Sequence, residues 1–155
     1  MEIIETYYTY DTPIGNIMIA SDGESLTALK FRIPEQGNMT YKADRITDEA
    51  AKQLEEYFAG QRREFKLPIN AKGTDFQRNV WKALLKIPYG ETRSYKQIAQ
   101  MTGNEKASRA VGMANNKNPI SIIIPCHRVI GTNGKLIGYG GGMEAKQKLL
   151  QLERK

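Results

Sequence analysis

The run Ile124-Pro125-Cys126-His127-Arg128-Val129 sets a thiol directly beside an imidazole, and these are the only cysteine and the only histidine of the chain. An ordinary thiol, with a pKa near ~8.5, is only slightly ionised at neutral pH, and the thiolate is the nucleophile. An adjacent imidazole or a nearby cation raises the ionised fraction, so the pair suits nucleophilic chemistry at sulfur. A second reading stays open. A lone cysteine commonly serves as a small buried hydrophobe. Neighbours on an extended strand also point to opposite faces. Pro125 disturbs a strand, and a bend there would let sulfur and imidazole approach one another.

The same counts exclude other chemistries. One cysteine permits no intrachain disulfide, no cysteine-rich zinc finger, no CxxC redox pair and no iron–sulfur cluster. One histidine permits no multi-histidine metal site. No metal and no other cofactor is therefore expected. The length of 155 residues suits one domain or two small ones, and 40% hydrophobic with 26% charged residues is the composition of a soluble globular protein. The opening MEIIETYYTYD is acidic and lacks the basic start of a signal peptide. Apolar runs such as Ile122-Ile123-Ile124 are far too short to span a bilayer. A cytoplasmic protein with a reduced thiol and no membrane contact is expected.

Charge divides the chain. Residues 1–68 hold eight basic against twelve acidic side chains, a net of −4, whereas residues 69–155 hold fifteen against five, a net of +10. A basic half of this kind suits a polyanion such as nucleic acid, with a solvated basic face as the plain alternative. The shift in charge, with Leu67-Pro68 to Gly73 as a linker, predicts an N-terminal domain over 1–68 and a C-terminal domain over 69–155.

These residues need elements to hold them. The first half reads as strands over 3–10, 14–20 and 26–33, separated by the turn signals Thr12-Pro13-Ile14-Gly15 and Ser21-Asp22-Gly23. A helix follows over 44–59, with Ile46, Ala50, Leu54 and Phe58 at four-residue spacing and Gly60 as its stop. Residues 64–69 read as a further strand. In the second half, Thr74 caps a helix running to Lys86, with Phe76, Val80, Trp81 and Leu84 on its inner face. Pro88-Tyr89-Gly90 breaks it. Ser94 and Gln97 form a capping-box pattern opening a short helix that ends at Gly103. A second helix spans 105–115, with Ala107, Ala110, Val111 and Ala114 inside. Two short helices around a tight turn match a helix-turn-helix. Residues 120–124 and 135–139 read as extended, and Asn133-Gly134 as a hairpin turn, which makes a winged variant. The predicted class is α/β (α+β): a small strand-plus-helix domain, then a helical domain with a winged helix-turn-helix. The second helix of the pair is lined by Ala107, Ser108, Ala110, Gly112 and Ala114, with Arg109 the long side chain near its middle. Such a smooth helix suits close contact with a narrow groove and little base reading.

Pro125-Cys126-His127-Arg128-Val129 resembles the active-site signature of the O6-alkylguanine-DNA alkyltransferases, also called methylated-DNA–protein-cysteine methyltransferases. The resemblance extends over Gly90-Glu91-Thr92-Arg93-Ser94-Tyr95, Ala107-Ser108-Arg109-Ala110-Val111-Gly112 and Asn118-Pro119. It continues through Tyr139-Gly140-Gly141-Gly142, Lys146 and Leu149-Leu150 to Glu153. Order and spacing agree over about 74–153, while the N-terminal half is compatible with the family's variable small domain and has no diagnostic motif.

The resemblance implies a DNA repair protein that rotates O6-alkylguanine out of duplex DNA and moves the alkyl group irreversibly, once per molecule, to Cys126. His127 would activate Cys126 through a water, Glu153 would orient His127, and Tyr95 would donate near guanine N3. Val129, Tyr139, Gly140 and Asn115 would line the substrate pocket. Arg109 would fill the gap in the base stack, with Ala110, Ser94, Asn118 and Arg128 among the DNA-binding residues. The expected partner is double-stranded DNA met through its minor groove, by a monomer. Two departures stand out. Gly140 replaces the serine common in the family, and Asn115 replaces the bulky apolar residue of some members. The zinc ligands and cysteine-rich sensor domain of some relatives are absent from this sequence. The rival readings are an alkyltransferase-like protein that binds lesions without transfer, a Cys-His hydrolase, and a winged-helix DNA-binding protein with a passive cysteine. The alkyltransferase-like proteins carry tryptophan or alanine where Cys126 stands.

Overall fold

The structure, a computed structural model, describes residues 5–31, 39–131 and 142–154. The hairpin turn at Asn133-Gly134, the extended segment over 135–139, and the pocket residues Tyr139 and Gly140 lie outside the described residues. The chain divides into two compact units, Met1–Ala71 and Lys72–Lys155, three residues beyond the division read from charge.

In the first unit, β1 (Thr6–Thr12), β2 (Gly15–Ser21) and β3 (Leu26–Lys30) form the expected antiparallel meander. Gly15, at φ 109°, supplies the left-handed residue of the first turn. The sequence pattern did not reveal β4 (Thr40–Tyr41), which adds parallel to β1 and sets the order β3-β2-β1-β4. Its two residues are too few to show a period. Helix α1 (Arg45–Phe58) begins at Asp44, whose carboxylate accepts from Thr47 N at 2.8 Å while Thr47 Oγ1 accepts from Asp44 N at 2.9 Å. Strand β2 is buried on both faces, because Ile17 and Ile19 alternate with Met18 and Ala20. Tyr7, Met18, Ala20 and Ala28 form one packed cluster with Met39 against it. The strand expected over 64–69 reduces to one bridge, Ile69 beside Leu26. Gln53 from α1 instead holds the backbone of Lys66 at both ends, donating to its carbonyl at 3.0 Å and accepting from its N–H at 2.9 Å.

In the second unit, α2 (Asp75–Leu84) and α3 (Tyr95–Met101) each start at a reciprocal cap, Thr74 with Gln77 and Ser94 with Gln97. Val80, Trp81, Ala83 and Leu84 are buried, whereas Phe76, expected on the inner face, is 37% exposed in the first turn of α2. The helix expected over 105–115 is two pieces: a 3-10 turn (Glu105–Ala107), then α4 (Ser108–Asn116). Asn104 caps the 3-10 turn by accepting from Lys106 N at 3.2 Å, which tightens the connection. Trp81 Nε1 donates to Ala114 O at 2.9 Å and fastens α2 to α4. Gly73 leaves room for that indole, since a Cβ there would lie 2.5 Å from the Trp81 ring. Strand β5 (Arg93–Ser94) pairs in parallel with β6 (Val129–Ile130), and α5 (Met143–Glu153) closes the unit. No helix among the described residues is long and apolar enough to cross a membrane.

Candidate active site

Residues 120–124 are not extended. The segment folds into successive turns, with Ile123 N donating to Ser121 O at 2.8 Å and Ile124 N to Ile120 O at 3.0 Å. Ile122 sits at φ 70°, a region that costs a β-branched residue about 1–3 kcal/mol. Its side chain and those of Ile120, Ile123 and Ile124 are buried, and this burial holds the turn. Asn118 spans the segment, donating from Nδ2 to Ile124 O at 2.8 Å and accepting at Oδ1 from Ile120 N at 3.0 Å. Both ends of the Asn118 amide are thus committed inside the protein. This corrects its grouping with the DNA-binding residues, because Asn118 ties the end of the α4 segment to the active-site segment from inside.

Cys126, His127 and Arg128 form a 3-10 turn after Pro125, so the chain bends where the proline predicted a disturbance. Arg128 N donates to Pro125 O at 3.0 Å and closes the turn. Cys126 is 4% exposed and His127 fully buried. Burial pushes the Cys126 thiol up, while Asn118, the Lys146 ammonium and Ser121 pull it down; the net direction is upward. At rest the sulfur is a thiol that needs a base.

His127 Nε2 lies 2.7 Å from Glu153 Oε2, and Glu153 is 1% exposed at its side chain. Burial drives the imidazole pKa below its ordinary value; Glu153 opposes that, and Arg128 and Lys146 add to it. The net is a neutral ring. A carboxylate oxygen only accepts, so Nε2 carries the proton and Nδ1 holds the basic lone pair. Nδ1 is buried and has no hydrogen-bond partner among the described residues.

Arg128 is where the structure departs furthest from expectation. It is 7% exposed and points inward. Its Nε donates to Glu153 Oε1 at 2.8 Å, Nη2 to Glu153 Oε2 at 3.1 Å, and Nη1 to Ile87 O at 2.8 Å. A guanidinium with these bonds offers no charge to a phosphate, which corrects the reading of Arg128 as a DNA contact.

Lys146, quoted only as part of a motif in the sequence, is fully buried and donates from Nζ to Val129 O at 2.6 Å. Burial lowers its pKa and the sulfur of Cys126 raises it. A lysine three residues into an amphipathic helix reads as solvated, and nothing in its spacing signals otherwise. Val129 donates its N–H to Cys126 O, and its carbonyl accepts from Lys146 Nζ. Asn115 is buried and contacts Cys126 O through Nδ2 at 3.4 Å, while its Oδ1 has no partner among the described residues.

The outer surface comes from α3 and α4. Tyr95 opens α3 and is half-buried; burial first, and then the sulfur of Cys126, raise its pKa. Gly112 faces it from α4, where a Cβ would lie 3.8 Å from the Tyr95 ring. Arg109 and Ala110 are exposed on α4, beside Met113 at 63% exposure. Ser94 is half-buried, with its hydroxyl oxygen accepting from Gln97 N at 3.0 Å.

A helical unit with a buried thiol, a neutral imidazole and a carboxylate behind α4 defines a cysteine-centred transfer site. Two family models match the chain: "6-O-methylguanine DNA methyltransferase, DNA binding domain" over residues 75–155, and "6-O-methylguanine DNA methyltransferase, ribonuclease-like domain" over residues 6–71. A methylated-DNA–protein-cysteine methyltransferase of Methanosarcina acetivorans is 50% identical over 151 residues, spanning 95% of this chain and 97% of its own length. One from Mycobacterium bovis is 52% identical over 156 residues, spanning 96% and 92%. The crystal structure of Mycobacterium tuberculosis OGT in complex with DNA matches with a TM-score of 0.89 at 52% identity, over 96% of this chain and 92% of that one. The chain belongs to the 6-O-methylguanine DNA methyltransferase family.

Proposed function

We infer that this protein repairs DNA by moving an alkyl group from guanine O6 to Cys126. The observation that carries the inference is the buried Cys126-His127 turn with Glu153 at 2.7 Å from the imidazole, in a chain of this family. The Cys126 proton passes to His127 Nδ1 through a water. The thiolate then attacks the alkyl carbon, the carbon–sulfur bond forms and the carbon–O6 bond breaks. The departing guanine is protonated, with Tyr95 as the donor near N3. The thioether has no easy return path, so each molecule acts once.

The target atom lies inside the duplex, so the nucleotide must rotate out, at a cost of a few kcal/mol that a damaged pair reduces. Arg109 fills the vacated space, and Ala110 and Ser94 lie against the minor groove of double-stranded DNA. Asn115 and the Val129 backbone face the base, with Tyr139 and Gly140 as further pocket residues. The second unit is the DNA-binding and acceptor domain, completed by the wing read over 135–139, and the first is its support. The protein acts as a cytoplasmic monomer. The alternative, lesion binding without transfer, is disfavoured by the cysteine at position 126, where alkyltransferase-like proteins carry tryptophan or alanine.

Intact mass after mixing with duplex containing O6-methylguanine tests this reading. The expected result is one methyl in place of one hydrogen, mapped to Cys126 and absent in Cys126→Ala. Binding without any mass gain by folded protein would move the chain to the alternative. Arg109→Ala should slow transfer from duplex far more than from free O6-methylguanine, and equal slowing would remove its part in rotation.

A further inference from the structure

Glu153 is one carboxylate held by both His127 and Arg128. His127 takes Oε2 at 2.7 Å, and Arg128 takes Oε1 at 2.8 Å and Oε2 at 3.1 Å. These partners have opposite consequences. A buried carboxylate facing an imidazole alone favours the imidazolium, which cannot accept a thiol proton. A guanidinium on the same carboxylate cancels that charge and is permanently ionised. We propose that Arg128 is a positioning residue that acts through Glu153, dividing the carboxylate with His127 so that His127 serves as a base at Nδ1. The proposal rests on the reading of His127 as the proton acceptor of Cys126.

The surroundings hold Arg128 to this task. Nη1 is tied to Ile87 O at 2.8 Å, and the guanidinium carbon lies 5.7 Å from the centroid of the Tyr89 ring. The turn carrying both residues is itself fixed to the end of α5. Tyr89 OH donates to Leu152 O at 3.4 Å, and Gly90, at φ 84°, passes so close that a Cβ would lie 3.1 Å from Glu153 O. Residues 87–90, Arg128 and Glu153 therefore form a closed brace. This gives the Pro88-Tyr89-Gly90 break a purpose beyond ending a helix. Three directions of the guanidinium fork are used at once, which a lysine ammonium could not reproduce.

Every charged group facing His127 fits the same arrangement. Glu153 and Lys146 come from α5, and Arg128 and Cys126 from its own turn. From α2 the buried residues are Val80, Trp81, Ala83 and Leu84, none of them titratable. The direction of the His127 shift agrees, since Arg128 and Lys146 both oppose the pull of Glu153.

The chain has one histidine, so a single imidazole signal reports this site by NMR, without DNA and without turnover. The wild-type ring is expected to titrate below the ordinary value of 6.5. In Arg128→Met the midpoint should rise by about one pH unit, a tenfold gain in proton affinity, and Arg128→Lys, which keeps the charge but not the fork, should recover only part of that shift. Alkyl transfer by Arg128→Met should fall about tenfold more at the acid end of the profile than at pH 8, whereas a merely structural part would slow it equally at every pH. A wild-type ring titrating above 6.5 overturns the proposal, and so does a folded Arg128→Met with an unmoved midpoint. Should the methionine variant not fold, the wild-type midpoint decides. Because the titration needs no transfer, its failure is distinct from an absent methyl on Cys126.

Discussion

Burying an imidazole in its neutral form ties the stability of this fold to pH. The His127 pKa is lowered in the folded state, chiefly by desolvation, so the unfolded chain binds the proton more tightly. Its contribution is fully present above the unfolded value of about 6.5 and is lost as pH falls through the folded value. Urea melts between pH 8 and 5 should show stability declining on the acid side, and His127→Gln should flatten that decline. An unchanged slope in His127→Gln would place the titration elsewhere. Asn115 makes a second case. Its Oδ1 is a buried acceptor without a partner among the described residues, and an unsatisfied buried acceptor costs about 1–3 kcal/mol. Asn115→Leu keeps the volume and should stabilise the fold by about 1 kcal/mol, read as a higher Tm; a lower Tm would mean that the amide is satisfied. Cys126 and His127 were legible in the sequence because their types and adjacency carry chemistry. Arg128 and Lys146 were not, because an arginine after a histidine and a lysine in a helix look solvated until burial shows where they point.

Elements were legible in proportion to their local signals. The Ser94–Gln97 cap was visible from residues three apart, Thr74 as the cap of α2, and α1 from its apolar spacing. The failures share a cause. Residues 120–124 have the composition of a strand, and β-branched side chains would favour one. Asn118 and the burial of four isoleucines impose a turn instead, through contacts that spacing does not show. Strand β4 has only two residues and exists because β1 offers it an edge. Two glycines, one just ahead of α2 and one within α4, separate close approach from open packing. At Gly73 a Cβ would meet Trp81 at 2.5 and 2.7 Å, and that indole is fixed by its bond to Ala114 O. Gly73→Ala should destabilise by about 1–3 kcal/mol. At Gly112 the nearest atoms are 3.8 Å away, an ordinary contact. Gly112→Ala should stabilise α4 by up to about 1 kcal/mol. Chemical denaturation of the two variants should move their midpoints in opposite directions, and a shared direction would contradict this packing.

The whole molecule is electrically divided, and the division makes a quantitative demand. The formal charge of +6 is a basic unit partly offset by an acidic one. If DNA is held by the basic unit, each phosphate neutralised there releases counterions, and log affinity falls linearly with log salt by about 0.9 per contact. Lys106 and Lys117 are exposed at the two ends of the segment that carries α4. Lys106→Glu and Lys117→Glu should each weaken duplex binding and reduce the salt slope by about one. Lys52, exposed on α1 in the acidic unit, is the control. Lys52→Glu changes net charge by the same amount but adds to a field already negative, so the slope should not move. The comparison separates local contact from total charge, because all three variants have the same formal charge. Equal loss of affinity in the three, with unchanged slopes, would show that only the long-range field matters. A smaller slope for Lys52→Glu would mean that the first unit also contacts phosphate. Loss of slope confined to the α4 flanks would assign DNA binding to the helix that stands over Tyr95 and Cys126.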